Sequence, residues 1–229
     1  MSIYAIGDIH LSLTTDKPME IFGGQWINHT NRIREKWERI VKETDTVIIP
    51  GDISWGLRRQ EADEDLAWIS RLPGQKVLIR GNHDLWWTSV TKLNQLDSRM
   101  YFLQNTHYMA EDYAICGSRG WICPGDPDFT AHDEKIYLRE LQRFRFSLES
   151  AAKAGAKKLI AALHYPPVRA GGESSGFTEL AEEFGVEILV YGHLHGADAH
   201  TKAFKGIHRG VEYALVSGDF LTFCPKLIR

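Results

Sequence analysis

The sequence predicts a layered α/β domain, because short apolar segments alternate with amphipathic helical patterns along its 229 residues. The composition agrees with this class. Hydrophobic residues make up 43% of the chain and charged residues 25%, which is usual for a globular protein and argues against a disordered, collagen-like or coiled-coil one. The length suits one large domain or two small ones, and the chain is long enough to bury a sizeable core.

The predicted strands are short apolar runs, most of them read as buried on both faces. They are Ile3–Ile6, Thr46–Ile49, Lys76–Ile79, Tyr113–Cys116, Leu159–Leu163, Glu187–Tyr191 and Tyr213–Val216.

The predicted helices are segments in which apolar residues recur on one helical face. They are Asn31–Lys42, Glu61–Arg71, Asp133–Ala154 and Phe177–Phe184. In the first, Ile33, Trp37 and Ile40 form the apolar stripe. The third is followed by Gly155, which suits the left-handed residue that often ends a helix.

Polar side chains follow the predicted strands directly, in five blocks. The blocks are Gly7-Asp8-Ile9-His10, Pro50-Gly51-Asp52, Arg80-Gly81-Asn82-His83-Asp84, Leu163-His164-Tyr165-Pro166 and Tyr191-Gly192-His193-Leu194-His195. In α/β sheets, ligands bind at the carboxyl ends of strands, so this pattern predicts one site at one edge of the sheet. Asp8 and His10 are two residues apart, as are His193 and His195, so on an extended backbone each pair could hold one ion.

The candidate metal ligands are imidazoles, carboxylates and one amide. They are Asp8, His10, Asp52, Asn82, His164, His193 and His195. The set contains no thiolate, which disfavours a structural zinc site and fits Mn²⁺ or Fe best, with Zn²⁺, Ni²⁺ and Co²⁺ as alternatives. Since these groups are too many for one ion, we expect two ions about 3.5–4 Å apart that share a carboxylate.

The five blocks resemble the signature of the calcineurin-like metallophosphoesterases: D-x-H, then G-D, then G-N-H-(D/E), then H, then G-H-x-H. All five parts occur in this order between Asp8 and His195, which covers most of the chain. The resemblance implies a four-layer fold, a two-sheet β-sandwich flanked by helices, with the metals at the strand ends. Since the parts span nearly the whole chain, we expect one domain over residues 1–229, similar to the small prokaryotic phosphoesterases.

The resemblance also implies a role for each matched residue. One metal would be held by Asp8, His10, Asp52 and His195 and the other by Asp52, Asn82, His164 and His193, with Asp52 as the bridge. His83 would not bind metal but would face the leaving-group oxygen, and Asp84 would orient it.

The activity implied is hydrolysis of a phosphodiester or a small phosphomonoester. The two ions would attract the phosphate and stabilise the charge of the transition state. They would also lower the pKa of a water between them to about 7, so that hydroxide attacks phosphorus. His83 would then donate a proton to the leaving oxygen, a contribution of about 10²–10⁴ in rate. Asn82 is expected to bind metal and to donate an amide hydrogen to the phosphate.

Four further residues are candidates for substrate binding. Trp86 and Trp87 follow the third block, where one of them could form an aromatic wall beside the site or both could pack in the core. Trp55 has a similar but weaker claim. Arg119 lies between two glycines after a predicted strand, where it could either bind phosphate through its fork of donors or be a surface cation.

The second block departs from the Ser/Thr protein phosphatases of the same superfamily, which carry G-D-x-x-D-R-G. This chain has Ser54-Trp55 in place of Asp-Arg, and so lacks the arginine that binds phosphate there. A missing cation favours a diester, which carries one charge fewer. Two alternatives are a protein-phosphatase-like monoesterase and a non-catalytic scaffold on the same fold. The complete ligand set disfavours the scaffold.

The composition also bears on partners and location. The net charge of −3 gives no signal for nucleic acid, and no apolar run is long enough for a membrane span. The N-terminus does not resemble a signal peptide, and the cysteines at 116, 123 and 224 form no CxxC pair. We therefore expect a cytoplasmic protein with reduced cysteines and a small phosphorylated or phosphodiester substrate.

Overall fold

Two mixed β-sheets pack face to face, with helices on both outer faces. The computed structural model describes residues 1–169 and 172–229. The described strands are β1 (Ile3–Ala5), β2 (Thr46–Pro50), β3 (Gln75–Ile79), β4 (Met100–Phe102), β5 (His107–Ala110), β6 (Tyr113–Ser118), β7 (Lys158–Leu163), β8 (Val186–Tyr191), β9 (Gly206–His208), β10 (Val211–Leu215) and β11 (Lys226–Leu227). The predicted α/β class and the four-layer sandwich are confirmed.

The α-helices that the structure describes alternate with these strands. They are α1 (His29–Ile40), α2 (Asp63–Arg71), α3 (Val90–Leu93), α4 (Ala131–Lys153), α5 (Gly176–Glu183) and α6 (Gly196–Lys202). Single 3₁₀ turns cover Met19–Phe22, Gly24–Trp26 and Arg59–Ala62. Of the helices in the described part of the chain, none combines the length and apolarity that a membrane crossing requires.

The strand order brings the carboxyl ends of the central strands to one rim. The first sheet has the order β11-β1-β2-β3-β4, in which β1 to β4 are parallel. The second has the order β5-β6-β7-β8-β10-β9, in which β6, β7, β8 and β10 are parallel. The N–H of Gly7 donates to the carbonyl of Val216 at 2.7 Å and joins the two sheets at this rim. All five polar blocks therefore emerge at the same place.

Three apolar layers hold the sandwich together. Ile48 and Val77 of the first sheet pack against Ile160 and Val190 of the second, and all four are fully or almost fully buried. A second layer lies between the first sheet and α1 and α2, and a third between the second sheet and α4 and α5. The inner strands are apolar on both faces because each face packs against another layer.

Sequence patterns located the central strands within two residues but missed four edge or near-edge strands, β4, β5, β9 and β11. These strands have two to four residues, and several of their side chains face solvent. In β9, for example, Ile207 is 77% exposed. A strand of this kind has neither a continuous apolar run nor a clear alternation, so it carries no periodic signal.

A buried lysine closes the end of α2. The Lys76 ammonium donates to the carbonyls of Ser70 at 3.1 Å, Leu72 at 2.6 Å and Gly74 at 2.7 Å, and its side chain is fully buried. Burial lowers the pKa of Lys76 to about 8. The last carbonyls of a helix have no partner within the helix, so this cation satisfies acceptors that the fold has taken from water.

We expect Lys76→Met to lower the free energy of unfolding by about 3 kcal/mol, because the buried carbonyls lose their donor while the alkyl chain is kept. Urea unfolding followed by circular dichroism measures the change. The control is Lys92→Met, since Lys92 is exposed. Equal unfolding midpoints for the two variants would contradict the role given to Lys76.

Candidate metal centre

The polar blocks bring two groups of ligand atoms together at the rim. One group is Asp8, His10 and His195, and the other is Asp52, His164 and His193. Within each group the ligand atoms lie within 4.8 Å of one another. The resemblance implies the same two sets, with Asn82 added to the second set and Asp52 shared by both.

The first group is built on the loop after β1 and the segment before α6. His10 Nε2 lies 3.2 Å from His195 Nε2, and His195 Nε2 lies 3.8 Å from Asp8 Oδ1. Asp8 and His10 are almost fully buried, whereas the His195 side chain is 33% exposed. One nitrogen of each imidazole and one oxygen of the carboxylate therefore converge on one point.

The second group is built on the ends of β7 and β8. His164 Nε2 lies 3.2 Å from His193 Nδ1 and 2.7 Å from Asn82 Oδ1. His164 Nδ1 lies 3.0 Å from the carbonyl oxygen of Pro50, which can only accept, so Nδ1 carries the hydrogen and Nε2 presents its lone pair to the group. Asn82 thus joins this group through its amide oxygen.

Asp52 lies between the two groups. Its Oδ2 atom is 3.7 Å from His10 Nε2 and 3.5 Å from His164 Nε2, so one carboxylate oxygen faces both sets of ligands. Its Oδ1 atom accepts the backbone N–H of His83 at 2.8 Å. This hydrogen bond fixes the carboxylate in the position that a bridging ligand requires.

The chemistry of these donors fits divalent cations. Burial lowers the pKa of His164 to about 3 and that of His193 to about 2, so both imidazoles are neutral, as metal ligands must be. Burial and the neighbouring Asp52 carboxylate raise the pKa of Asp8. Two buried carboxylates next to each other are costly to ionise without a cation, and bound cations would offset this cost.

The backbone is unusual at four of these residues. Asp8, His10, Asp52 and His193 have φ angles of 52°, 44°, 49° and 72°, in the left-handed region that side chains rarely adopt. The sequence pattern treats His193 and His195 as neighbours on an extended strand that could hold one ion. The structure instead divides them between the two groups, whereas Asp8 and His10 stay in one group although the chain is left-handed at both.

Glycine is required beside both carboxylates. A Cβ atom at Gly192 would overlap the carboxylate of Asp8, and one at Gly81 would overlap the backbone and carboxylate of Asp52. The absence of a side chain at these two positions lets neighbouring loops approach closely enough to hold the ligands.

Asp219 is a site residue that the sequence patterns missed. Its Oδ1 atom lies 3.0 Å from His195 Nδ1, and its Oδ2 atom accepts the N–H of Gly196 at 3.0 Å. The carboxylate therefore turns Nε2 of His195 toward His10. Burial lowers the pKa of His195, but the hydrogen bond that His195 donates to Asp219 and the charge of Asp8 outweigh this effect, and the pKa is raised overall. The signal was present, because Asp219 closely follows β10 as the other site residues follow their strands.

We expect Asp219→Asn to weaken metal binding by about 10–100-fold, because a carboxylate that orients a ligating imidazole contributes about this much to affinity. Competition with a chromophoric chelator measures the change. Asp198→Asn is the matched control, since Asp198 is an exposed acid whose side chain pairs with Lys202. Equal affinities in the two variants would show that Asp219 does not support the site.

The third block divides its residues between the site and the core. His83 is exposed, and its ring centre lies 5.8 Å from that of His10. Asp84 is fully buried and accepts hydrogen bonds from the N–H groups of Gly81, Ile53 and Ser54 and from the indole of Trp86. The resemblance implies that Asp84 orients His83. None of these bonds involves the His83 ring, so in this structure Asp84 acts on the backbone of the two loops.

Trp86 and Trp87 lie in the core, whereas Arg119 is next to a proposed ligand, since its carbonyl accepts the N–H of His164 at 3.0 Å. Trp86 and Trp87 are 1% and 7% exposed and pack around Phe102. The Arg119 guanidinium lies 3.7 Å from Glu140 and 4.3 Å from the ring centre of Trp121. Arg119 is therefore a largely buried cation paired with Glu140 and not a surface one.

A cavity of about 390 Å³ opens over both groups of ligands; we call it the site cavity. Its lining residues are His10, Met19, Phe22, Gln25, Trp26, Asp52, Trp55, His83, His193, His195 and Gly196. The aromatic wall beside the two groups of candidate ligands is thus formed by Phe22, Trp26 and Trp55.

Comparison with known proteins gives short matches to two curated relatives, the gene 66 proteins of Mycobacterium phages L5 and D29. A protein of Mycobacterium phage L5, the gene 66 protein, is 45% identical over 56 residues. The match spans 24% of this chain and 27% of the phage protein.

Two solved structures share the fold. Phosphopantetheinyl hydrolase from Mycobacterium tuberculosis has a TM-score of 0.56 and 13% identity, over 99% of this chain and 95% of that one. The protein TT1561 of Thermus thermophilus has a TM-score of 0.57 and 12% identity, over 84% and 81%.

The family assignment comes from the sequence itself. A sequence model of the calcineurin-like phosphoesterase family matches residues 1–197. This range is most of the chain and includes every candidate ligand of the two groups. The chain therefore belongs to the calcineurin-like phosphoesterases, a family of metal-dependent phosphohydrolases.

Proposed function

We propose that this protein hydrolyses small phosphodiesters with two divalent ions, of which Mn²⁺ or Fe best suits the donor set. Asp8, His10, Asp52 and His195 would hold one ion, and Asp52, Asn82, His164 and His193 the other. The observation that carries the proposal is the position of Asp52 Oδ2, 3.7 Å from a ligand atom of one group and 3.5 Å from a ligand atom of the other. A single shared carboxylate between two sets of ligands is what a dinuclear centre requires.

When bound, the ions would offset the charge of the phosphate and acidify the attacking water. The side chains of the protein perform the remaining tasks. His83 lines the site cavity and donates a proton to the leaving oxygen as the P–O ester bond breaks. Asn82 has its amide oxygen 2.7 Å from His164 Nε2, which leaves its NH₂ group available to donate to a phosphate oxygen.

The charges around the cavity support a diester. The described residues that line it include no lysine or arginine, and Arg119 is engaged by Glu140 and Trp121. A diester carries one negative charge and needs less compensation from side chains than a monoester, which carries up to two.

The space around the metals also supports a diester. A second cavity of about 350 Å³ shares His193 with the site cavity. Its described lining includes Tyr165, Tyr191 and Phe204, and two cations, Arg169 and Lys202, each paired with a carboxylate. Two cavities that share a proposed ligand would give room for two substituents on one phosphorus atom.

We expect the Mn²⁺-loaded protein to hydrolyse bis-p-nitrophenyl phosphate with a kcat/KM at least about tenfold above that for p-nitrophenyl phosphate. Removal of metal by a chelator should abolish both activities, and added Mn²⁺ should restore them. The opposite preference would indicate a monoesterase of the protein-phosphatase kind. If neither compound is turned over while two ions are bound, the proposal is wrong.

A further inference from the structure

The wall of the site cavity beyond the metal ligands is apolar. The two 3₁₀ turns before α1 contribute Met19, Phe22 and Trp26, and the loop after β2 contributes Trp55. The Trp55 ring stacks on His10 at 5.0 Å between ring centres, and its indole N–H donates to the sulfur of Met19 at 3.1 Å. These side chains therefore form one connected surface on the side of the first ligand group.

This wall offers almost no hydrogen bonds to a ligand. Apart from the metal ligands and His83, the described lining residues provide one amide, that of Gln25, and two indole N–H groups, of which that of Trp55 is bonded to Met19. The amide of Gln25 already donates to the carbonyl of Phe22 at 3.1 Å. A charged or hydroxyl-rich group that entered here would lose much of its water and gain few partners, which is unfavourable. A nearby cation, Lys17, has its ammonium 5.7 Å from the Trp55 ring centre and is itself exposed to water. An apolar group would lose nothing and would bury its own surface.

The position of His83 indicates that the leaving group lies in the site cavity. Its ring centre lies 4.4 Å from that of Trp55, and both residues line the site cavity but not the second cavity. A proton donor must lie within reach of the oxygen that it protonates. The substituent attached to that oxygen therefore lies against Met19, Phe22 and Trp55, while the other substituent of a diester extends toward the second cavity.

We infer that the site cavity binds an apolar alcohol substituent of about the size of one ring, and that the substrates are esters in which such a group leaves. This inference rests on the proposed function for the identity of the leaving oxygen. It names a class of substrate, esters with an apolar leaving group, which the arrangement of the metal ligands alone does not define. Specificity is then decided by the turns before α1 and by Trp55.

Two adjacent residues make the inference testable. Phe22 lines the cavity and is 57% exposed, whereas Ile21 is 71% exposed and does not line it. Both side chains stand at the surface, so their replacement by serine leaves the core intact. Phe22→Ser tests the wall, and Ile21→Ser is the matched control.

The experiment measures binding apart from turnover. Isothermal titration calorimetry on the Mn²⁺-loaded protein uses three singly charged phosphonate esters: phenyl, cyclohexyl and 4-carboxyphenyl methylphosphonate. We expect the phenyl ester to bind at least about tenfold more tightly than the carboxyphenyl ester, with a negative heat-capacity change that marks apolar burial. If the cyclohexyl ester binds as tightly as the phenyl ester, the cavity accepts any apolar alcohol group. If the cyclohexyl ester binds more weakly, the cavity prefers an aromatic group.

The variants decide between the inference and its alternatives. Phe22→Ser should lower the affinity for the phenyl ester about fivefold or more and raise KM for phenyl-type substrates, while Ile21→Ser should change neither. Tighter binding of the carboxyphenyl ester, or identical behaviour of the two variants, overturns the inference. If the phenyl ester binds as expected but no ester is hydrolysed, the proposed activity fails and the apolar site stands.

Discussion

Replacing His83 by alanine is expected to leave both metal ions bound and to lower kcat by about 10²–10⁴, the usual contribution of a general acid. The side chain faces the site cavity and is absent from both groups of ligand atoms, so its removal takes away a proton donor and no ligand. Steady-state kinetics, together with metal analysis of the same samples, test this expectation.

The leaving group sharpens the test of His83. A p-nitrophenolate ion leaves readily without a proton, whereas an alkoxide does not, so the loss in His83→Ala should be smaller for a p-nitrophenyl ester than for an alkyl ester. His132→Ala is the control, since His132 is an exposed histidine on α4. An unchanged rate for alkyl esters would remove His83 from the mechanism, and a loss of metal would make it a ligand.

The second large effect is expected for Asp52→Asn, which should lower the metal content at both positions and reduce kcat/KM by more than about 10³. Asparagine keeps the oxygen that accepts the N–H of His83, so the loop retains its hydrogen bond. It loses the charge that both groups of ligands share. Metal analysis after gel filtration gives the number of ions per chain.

Asp8→Asn is the comparison that separates the loss of a bridging carboxylate from the loss of a carboxylate that binds one ion. Asp8 belongs to the first group alone, so this variant should retain about one ion per chain where Asp52→Asn retains about none. Thermal unfolding of both variants checks that each is folded. Full occupancy in Asp52→Asn, or the same loss in the two variants, would refute the bridging role.

The central part of the fold could be predicted from the sequence because its strands are buried on both faces. Such strands appear as apolar runs, and polar residues at their ends stand out against them. The parallel order of β1 to β3 and of β7 and β8 then places these ends at one rim. For this reason Asp8, Asp52 and His164 were identified as neighbours although far apart in the chain. Their roles as ligands remain predictions.

The substrate side of the site could be predicted only in part, through Trp55, because it depends on the direction of single side chains in irregular segments. Trp86 follows the third block closely, but its indole binds the buried Asp84 and is thereby drawn into the core. Trp26 contacts the ring of His195, a proposed ligand, from a turn with no periodic pattern. Arg119 pairs with Glu140, which lies on a helix far along the chain. Contacts of this kind leave no local signal in the sequence.

The left-handed backbone at four of the proposed ligands sets stability against function in this protein. A side chain in that region costs roughly 1–3 kcal/mol, and glycine would relieve most of this cost. A sequence chosen for stability alone would therefore carry glycine at Asp8, His10, Asp52 and His193, and would bind nothing there. Efforts to raise the thermal tolerance of the protein should accordingly spare the rim and act on the outer layers, where a gain in stability need not be taken from catalysis.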